Sequence, residues 1–226
     1  TYYRRYGVYW QPIWGMTETG PLATSLPPAS WLLNLPDDQR LDLQTSAGRA
    51  AFGVELGIFD AGGKALPHDG KASGELRVRG PWICSQYFRN DVMSAFPDGW
   101  LATGDIATID ADGILRVVDR IKDVVKSGGE WISSLEIENI VSQHEAVSEC
   151  AVIGARHPKW DERPVLFIVS RSSNDIDADT IREFLEGRIA RWWMPDRIEF
   201  LTSLPRTGTG KVLKNELREQ YRDILL

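Results

Sequence analysis

Four short stretches of this 226-residue chain carry residue types that can do chemistry. The first is Trp14-Gly15-Met16-Thr17-Glu18-Thr19-Gly20. A glycine lets the backbone approach a ligand closely, a threonine hydroxyl can donate to a phosphate oxygen, and a glutamate can hold a divalent cation. The second is Gly99-Trp100-Leu101-Ala102-Thr103-Gly104-Asp105. An aspartate at the edge of a β segment can accept both hydrogen bonds of a vicinal diol such as a ribose. The third begins with the dense charges of Asp119-Arg120-Ile121-Lys122-Asp123 and ends in Ser127-Gly128-Gly129-Glu130-Trp131. It lies at a break in composition, which suits a hinge between modules. The fourth, Pro205-Arg206-Thr207-Gly208-Thr209-Gly210-Lys211, presents one lysine on a glycine-rich loop. Such a lysine can neutralise charge developing on a phosphoryl group. Each stretch also has a plain structural use: a capped polar loop, a turn aspartate bonded to its own backbone, a solvated linker, an exposed loop lysine.

Other chemistries find no support. A phosphate-binding P-loop needs glycine where Pro205 stands and serine or threonine where Val212 stands. His68, His144 and His157 have no metal-ligand spacing. There is no Gly-x-Ser-x-Gly nucleophile elbow. Asp110-Ala111-Asp112-Gly113 lacks the closing glutamate of a calcium loop and fits a hairpin turn better. With 26 Lys+Arg against 32 Asp+Glu, the net charge is -6, which disfavours nucleic acid as the main partner. Cys84 and Cys150 are too few for a disulfide scaffold and read as reduced thiols of a cytoplasmic protein. No apolar run reaches the ~20 residues of a transmembrane segment; a peripheral membrane position stays open. The chain starts Thr1-Tyr2-Tyr3, with neither an initiator methionine nor a signal-peptide core, and reads as the interior of something longer.

The elements that must position these stretches follow from pattern. The first 45 residues read as irregular, broken by Pro27-Pro28 and Pro36. Alternation at Val54, Leu56 and Ile58 and at Leu76 and Val78 predicts strands. A hairpin is predicted around Asp110–Gly113, so residues 50–118 read as a mostly β module. Ser133-Ser134-Leu135-Glu136 predicts a capped helix with Leu135, Ile140 and Val141 on its inner face. Strands are predicted at 150–154, 165–169 and 198–201, a second helix from Asp177, and a closing helix over 214–225. The fold class is α+β. The predicted boundary separates residues 1–119 from 120–226, with the hinge near 120–123.

In their order and separation the motifs resemble the C-terminal part of the acyl-adenylate-forming (AMP-binding) enzymes, and most closely the fatty-acyl-CoA synthetases. Gly74-Glu75-Leu76-Arg77-Val78-Arg79-Gly80 adds a fifth matching stretch, and the likeness covers essentially the whole chain. It implies that residues 1–119 are the distal, mostly β part of a large adenylating domain and that residues 120–226 are the small lid domain. The implied reaction is attack of a carboxylate on the α-phosphate of ATP, then thioester formation with coenzyme A, with Mg²⁺ as cofactor. The lid would rotate between the two steps.

The resemblance also implies roles. Trp14 would stack on adenine, and Gly15 and Met16 would line the nucleotide and acyl pocket. Thr17 would hold a phosphate oxygen and Glu18 would bind Mg²⁺. Asp105 would accept the ribose hydroxyls, assisted by Arg120. Lys122 falls at the hinge, and Ser127, Gly128 and Gly129 match the loop lining the pantetheine channel. Lys211 matches the lysine bridging carboxylate and α-phosphate. The family's upstream phosphate loop is not among these residues, so an N-terminally truncated piece is expected, unable to complete the reaction alone. Trp160 stands near where some relatives place an arginine for the nucleotide end of coenzyme A. A ligase for a small acid, such as 3-methylthiopropionate or an aryl acid, is the alternative within the class. A non-catalytic nucleotide-binding relative is the alternative outside it.

Overall fold

The computed structural model describes residues 2–87, 96–171 and 176–226. The chain divides into two compact units, Thr1–Val118 and Asp119–Leu226.

The first unit is built on two sheets. Short strands β1 (Ile13–Trp14), β2 (Thr24–Ser25) and β3 (Arg49–Ala50) form one, in the order β1-β2-β3. The other has the order β4-β5-β6-β7, with β4 at Glu55–Phe59, β5 at Ser73–Arg79, β6 at Leu101–Ile109 and β7 at Leu115–Arg120. The alternating pattern puts Ile58, Leu76, Val78, Leu101, Ala107, Ile109 and Leu115 into one core. At the predicted hairpin the Asp110 carboxylate accepts from the backbone of Asp112 and Ile114, and the Gly113 N–H closes the turn on Asp110 O.

Residues before 45 are more ordered than their prolines suggest. Helices α1 (Tyr2–Tyr6), α2 (Ser30–Leu33) and α3 (Asp37–Gln44) precede β3. Pro36 separates α2 from α3 as expected: it stands just before the first turn of α3, where no amide donor is lost, and Asp37 and Asp38 follow in that turn.

The second unit is a sheet covered on both faces. Its order is β10-β11-β8-β9, with β12 paired in parallel to β11. The strands are β8 (Val125–Ser127), β9 (Glu130–Ile132), β10 (Val147–His157), β11 (Asp161–Ser170) and β12 (Arg197–Phe200). Helices α4 (Ser134–Val141) and α5 (Ala178–Leu185) bury Ile137, Val141, Ile181 and Leu185 against Val152, Leu166 and Ile168. The opposite face packs Ile153, Val165 and Phe167 against Leu217 of α6 (Lys214–Tyr221). Two buried faces explain why β10 and β11 read as unbroken apolar runs.

Both predicted caps form: Ser133 Oγ accepts from Glu136 N and the Asp177 carboxylate from Thr180 N. The predicted inner face of α4 needs one correction. Leu135 is 38% exposed, and Ile137, absent from the predicted stripe, is fully buried with Val141 one turn on. We expect Ile137→Ala to cost about 2–5 kcal/mol in denaturant unfolding and Leu135→Ala less than about 0.5 kcal/mol. Equal losses would contradict this orientation of α4.

Candidate active site

Asp105 is where the first unit departs from a regular ladder. On β5 and β6, Glu75 faces Ile106 and Arg77 faces Ala102, so Thr103, Gly104 and Asp105 together oppose the single residue Leu76. This bulge needs Gly104 at φ +73°. Thr103 locks it, its hydroxyl donating to Leu76 O at 2.9 Å and accepting from Asp105 N at 3.1 Å. A bulge re-aims a side chain, and here the Asp105 carboxylate meets Trp14, whose indole Nε1 donates to Oδ2 at 3.2 Å. Asp105 is 3% exposed, so that donor matters: a buried carboxylate without hydrogen bonds is costly.

Trp14 leads into a tight loop. Thr19 Oγ1 accepts from Met16 N at 2.8 Å and donates back to Met16 O at 2.9 Å, closing a single turn of 3-10 helix at Thr17–Thr19. A Cβ on Gly15 would lie 1.7 Å from Pro21 O, so the loop admits only glycine there. The Thr17 side chain is exposed, and the Glu18 carboxylate accepts from Tyr87 Oη at 2.9 Å. That bond and burial push the Tyr87 phenol above its ordinary range. Of the predicted residues, Trp14, Gly15, Met16, Thr17, Glu18 and Asp105 thus belong to the first unit, and Trp14 and Asp105 touch.

No group of three or more metal-ligating side chains occurs among the described residues. Mg²⁺ does not require one: it usually takes one or two carboxylates and completes its shell with phosphate and water. The half-buried Glu18 fits that single-carboxylate role.

The second unit holds the other predicted residues. Arg120 and Lys122 lie in an exposed turn closed by Asp123 N and Val124 N donating to Arg120 O at 2.8 and 2.9 Å. Ser127, Gly128 and Gly129 connect β8 to β9, with φ +58° and +86° at the glycines. Ser127 and Gly128 border a cavity of about 260 Å³ with Glu130, Trp160, Arg163 and Trp192. A Cβ on Gly128 would come within 3.0 Å of the Trp160 ring.

Arg163 organises this cavity, a role that no local sequence pattern marks. Its guanidinium donates to Ser127 Oγ at 3.2 Å, Trp192 O at 2.8 Å, Met194 O at 3.0 Å and Asp196 Oδ1 at 2.7 Å. The one available signal was an arginine placed just before Pro164 in a strand.

Lys211 closes a small hairpin. Thr207 N donates to Lys211 O at 2.8 Å and Lys211 N donates to Thr207 Oγ1 at 3.1 Å. Arg206 bonds Gly210 O and pairs with Glu149 at 2.7 Å. The loop is therefore anchored, while the Lys211 side chain is exposed to solvent.

The first unit thus offers a tight turn beside a buried aspartate, and the second an exposed lysine on an anchored loop. The family described as AMP-binding enzyme matches residues 1–88, and the AMP-binding enzyme C-terminal domain matches residues 136–211. The chain belongs to the AMP-binding, acyl-adenylate-forming enzyme family. It is 47% identical over 221 residues to a medium-chain-fatty-acid–CoA ligase of Ectopseudomonas oleovorans, covering 98% of this chain and 40% of that one. It is 48% identical over 221 residues to a 3-methylmercaptopropionyl-CoA ligase of Ruegeria pomeroyi, covering 98% and 41%. Among solved structures it resembles o-succinylbenzoate CoA synthetase of Bacillus subtilis in complex with its acyl-adenylate intermediate. That match has TM-score 0.84 and 31% identity, and covers 96% of this chain and 42% of that one. The chain thus spans about 40% of the length of the curated relatives it matches.

The two glycines separate steric from conformational need. We expect Gly15→Ala to abolish nucleotide binding, because backbone must move to admit the methyl. Gly104→Ala meets open space and only the positive-φ cost, on the order of 1 kcal/mol. AMP-binding titrations on both variants check this; a Gly15→Ala variant with unchanged affinity would contradict it.

Proposed function

We infer that this chain is the part of an AMP-forming acyl-CoA ligase that carries the ribose site, the lid and the adenylating lysine. The observation that carries the reading is the Asp105 carboxylate, turned by a bulge onto the Trp14 indole three residues from Thr17. A fatty acid is the substrate class we favour, in line with the medium-chain ligase similarity. A short sulfur-containing acid is the second reading, because similarity to the 3-methylmercaptopropionyl-CoA ligase is equally strong.

In this reading Trp14 offers its indole face to adenine and its N–H edge to Asp105, which takes the ribose hydroxyls with help from Arg120. Met16 and Gly15 shape the wall beside the nucleotide. Thr17 donates to a phosphate oxygen. Mg²⁺ held by Glu18 would supply charge neutralisation at the phosphates. Lys211 places its ammonium between the substrate carboxylate and the α-phosphate, where charge builds as the carboxylate oxygen attacks and pyrophosphate leaves. Thioester formation then uses a different surface of the lid. The Ser127–Gly129 loop, held by Arg163, borders the pantetheine path, and the thiol sulfur displaces AMP. Lys122, in its exposed turn, is where the backbone rotates between the two steps.

Carboxylate-dependent ATP–pyrophosphate exchange by the full-length protein, over fatty acids of graded length plus 3-methylthiopropionate and benzoate, tests the reading. Exchange with fatty acids is expected; exchange with no acid would overturn it. Lys211→Ala should lower exchange about 10²–10³-fold and spare thioester formation from supplied acyl-adenylate. Lys122→Pro should do the reverse, because proline fixes φ at the hinge. Equal loss of both steps in both variants would contradict this division of labour.

A further inference from the structure

Helix α6 begins three residues after Lys211, and its inner face is tied to the hinge turn at two points. At the first, Lys214 Nζ lies 2.7 Å from Glu138 Oε1 and donates to Ser134 Oγ at 2.9 Å. Ser134 Oγ donates in turn to Asp119 Oδ2 at 2.8 Å, and Asp119 Oδ1 accepts from Arg120 N at 2.7 Å. An unbroken chain of polar contacts therefore runs from the foot of the Lys211 hairpin to the residue that opens the hinge turn. The second tie is one helical turn later, where Arg218 Nη2 lies 2.8 Å from Asp123 Oδ1. Asp123 is the residue whose N–H closes that turn on Arg120 O.

The fold of the second unit does not require these ties. α6 is already seated by Leu217, buried against the sheet, and by Tyr221 packed at a tilt on Phe167 with ring centroids 4.8 Å apart. The two cations add a direction. Lys214 and Arg218 stand at i and i+4, on one side of the helix; Arg218 reaches the 119–124 turn directly at Asp123, and Lys214 reaches Asp119 through Ser134. Both pairs are largely withdrawn from water, so each holds its geometry more firmly than a surface pair does.

We propose that Lys214 and Arg218 are positioning residues for Lys211, making α6 a strut of fixed length between the hinge turn and the adenylating hairpin. This rests on the reading of Lys211 and Lys122 given above. Rotation at Lys122 then carries Asp123 and, through Arg218, the helix that bears Lys211 as one piece, while the Lys214–Ser134–Asp119 chain spans Lys122 and parts as it turns. Misplacing a reacting group by about 1 Å can cost ~10²-fold in rate. The Ser127–Gly129 loop hangs from Arg163 and not from α6, so the thioester step does not depend on the strut.

The test uses the full-length protein with Arg218→Met, Arg218→Lys, Asp123→Asn and, in parallel, Lys211→Ala. Exchange kinetics, thioester formation from supplied acyl-adenylate, and Tm are measured for each. Arg218→Met and Asp123→Asn should each lower kcat for exchange at least about 10-fold. The KM for ATP and the thioester step should stay within about 2-fold, because neither uses the strut, and Arg218→Lys should recover most of the loss. If Arg218→Met fails to fold, the milder Asp123→Asn decides alone. If Lys211→Ala leaves exchange intact, the reading of Lys211 itself falls. If Lys211→Ala abolishes exchange while Arg218→Met and Asp123→Asn spare it, or slow both steps alike, the strut falls and the reading of Lys211 stands.

Discussion

A carboxylate withdrawn from water must find donors or lose its charge, and two aspartates impose that requirement on this chain. Asp105 is 3% exposed and Asp119 is 4% exposed. Asp105 is served by the Trp14 indole, and a bulge locked by Thr103 brings it there. Asp119 is served by the start of α4: Ser134 N at 2.6 Å, Ser134 Oγ at 2.8 Å and Leu135 N at 3.3 Å. A helix N-terminus has unpaired donors and a positive dipole end, so the carboxylate and the helix solve each other's problem. Each aspartate thereby fixes a backbone segment that carries candidate functional residues: the Trp14 loop in one unit and the Arg120–Lys122 turn in the other.

The same economy recurs around α6. Glu138 is buried, which pushes its carboxyl above the usual range, while Lys214 and the Val152 N–H pull it back. The Cys150 thiol beside it is pushed up to about 12, first by burial and then by the Glu138 charge. A thiol so raised is a packing group and not a nucleophile at neutral pH. The polar network under α6 therefore holds the helix and the 119–124 turn together.

Much of this was legible in the sequence because it is local. Ser133 and Asp177 announce helix starts, Asp110–Gly113 announces a turn, and alternation at Ile58, Leu76 and Val78 marks one face of a sheet. What escaped depends on partners distant in sequence. The bulge at Thr103–Asp105 is defined by its register against Leu76, which no local pattern encodes. Arg163 reads as one more strand residue until Trp192 and Met194 come beside it. Leu135 and Ile137 are both apolar, and only the docking of α4 on β10 decides which is buried. Asp119 drew attention as part of a charge cluster, yet its partner Ser134 is fifteen residues away.

The contact on which the proposed nucleotide site rests most directly is Trp14 Nε1 to Asp105 Oδ2. Calorimetric titration of a non-hydrolysable acyl-adenylate analogue into the full-length protein, and into its Asp105→Asn and Trp14→Phe variants, probes it. Hydrogen bonds to a charged group contribute about 1.5–3 kcal/mol, so the Asp105→Asn variant should bind about 10–100-fold more weakly. Trp14→Phe keeps the ring and loses only the donor, and should weaken binding by a smaller factor. Unchanged affinity in both folded variants would mean that this pair does not form the nucleotide site.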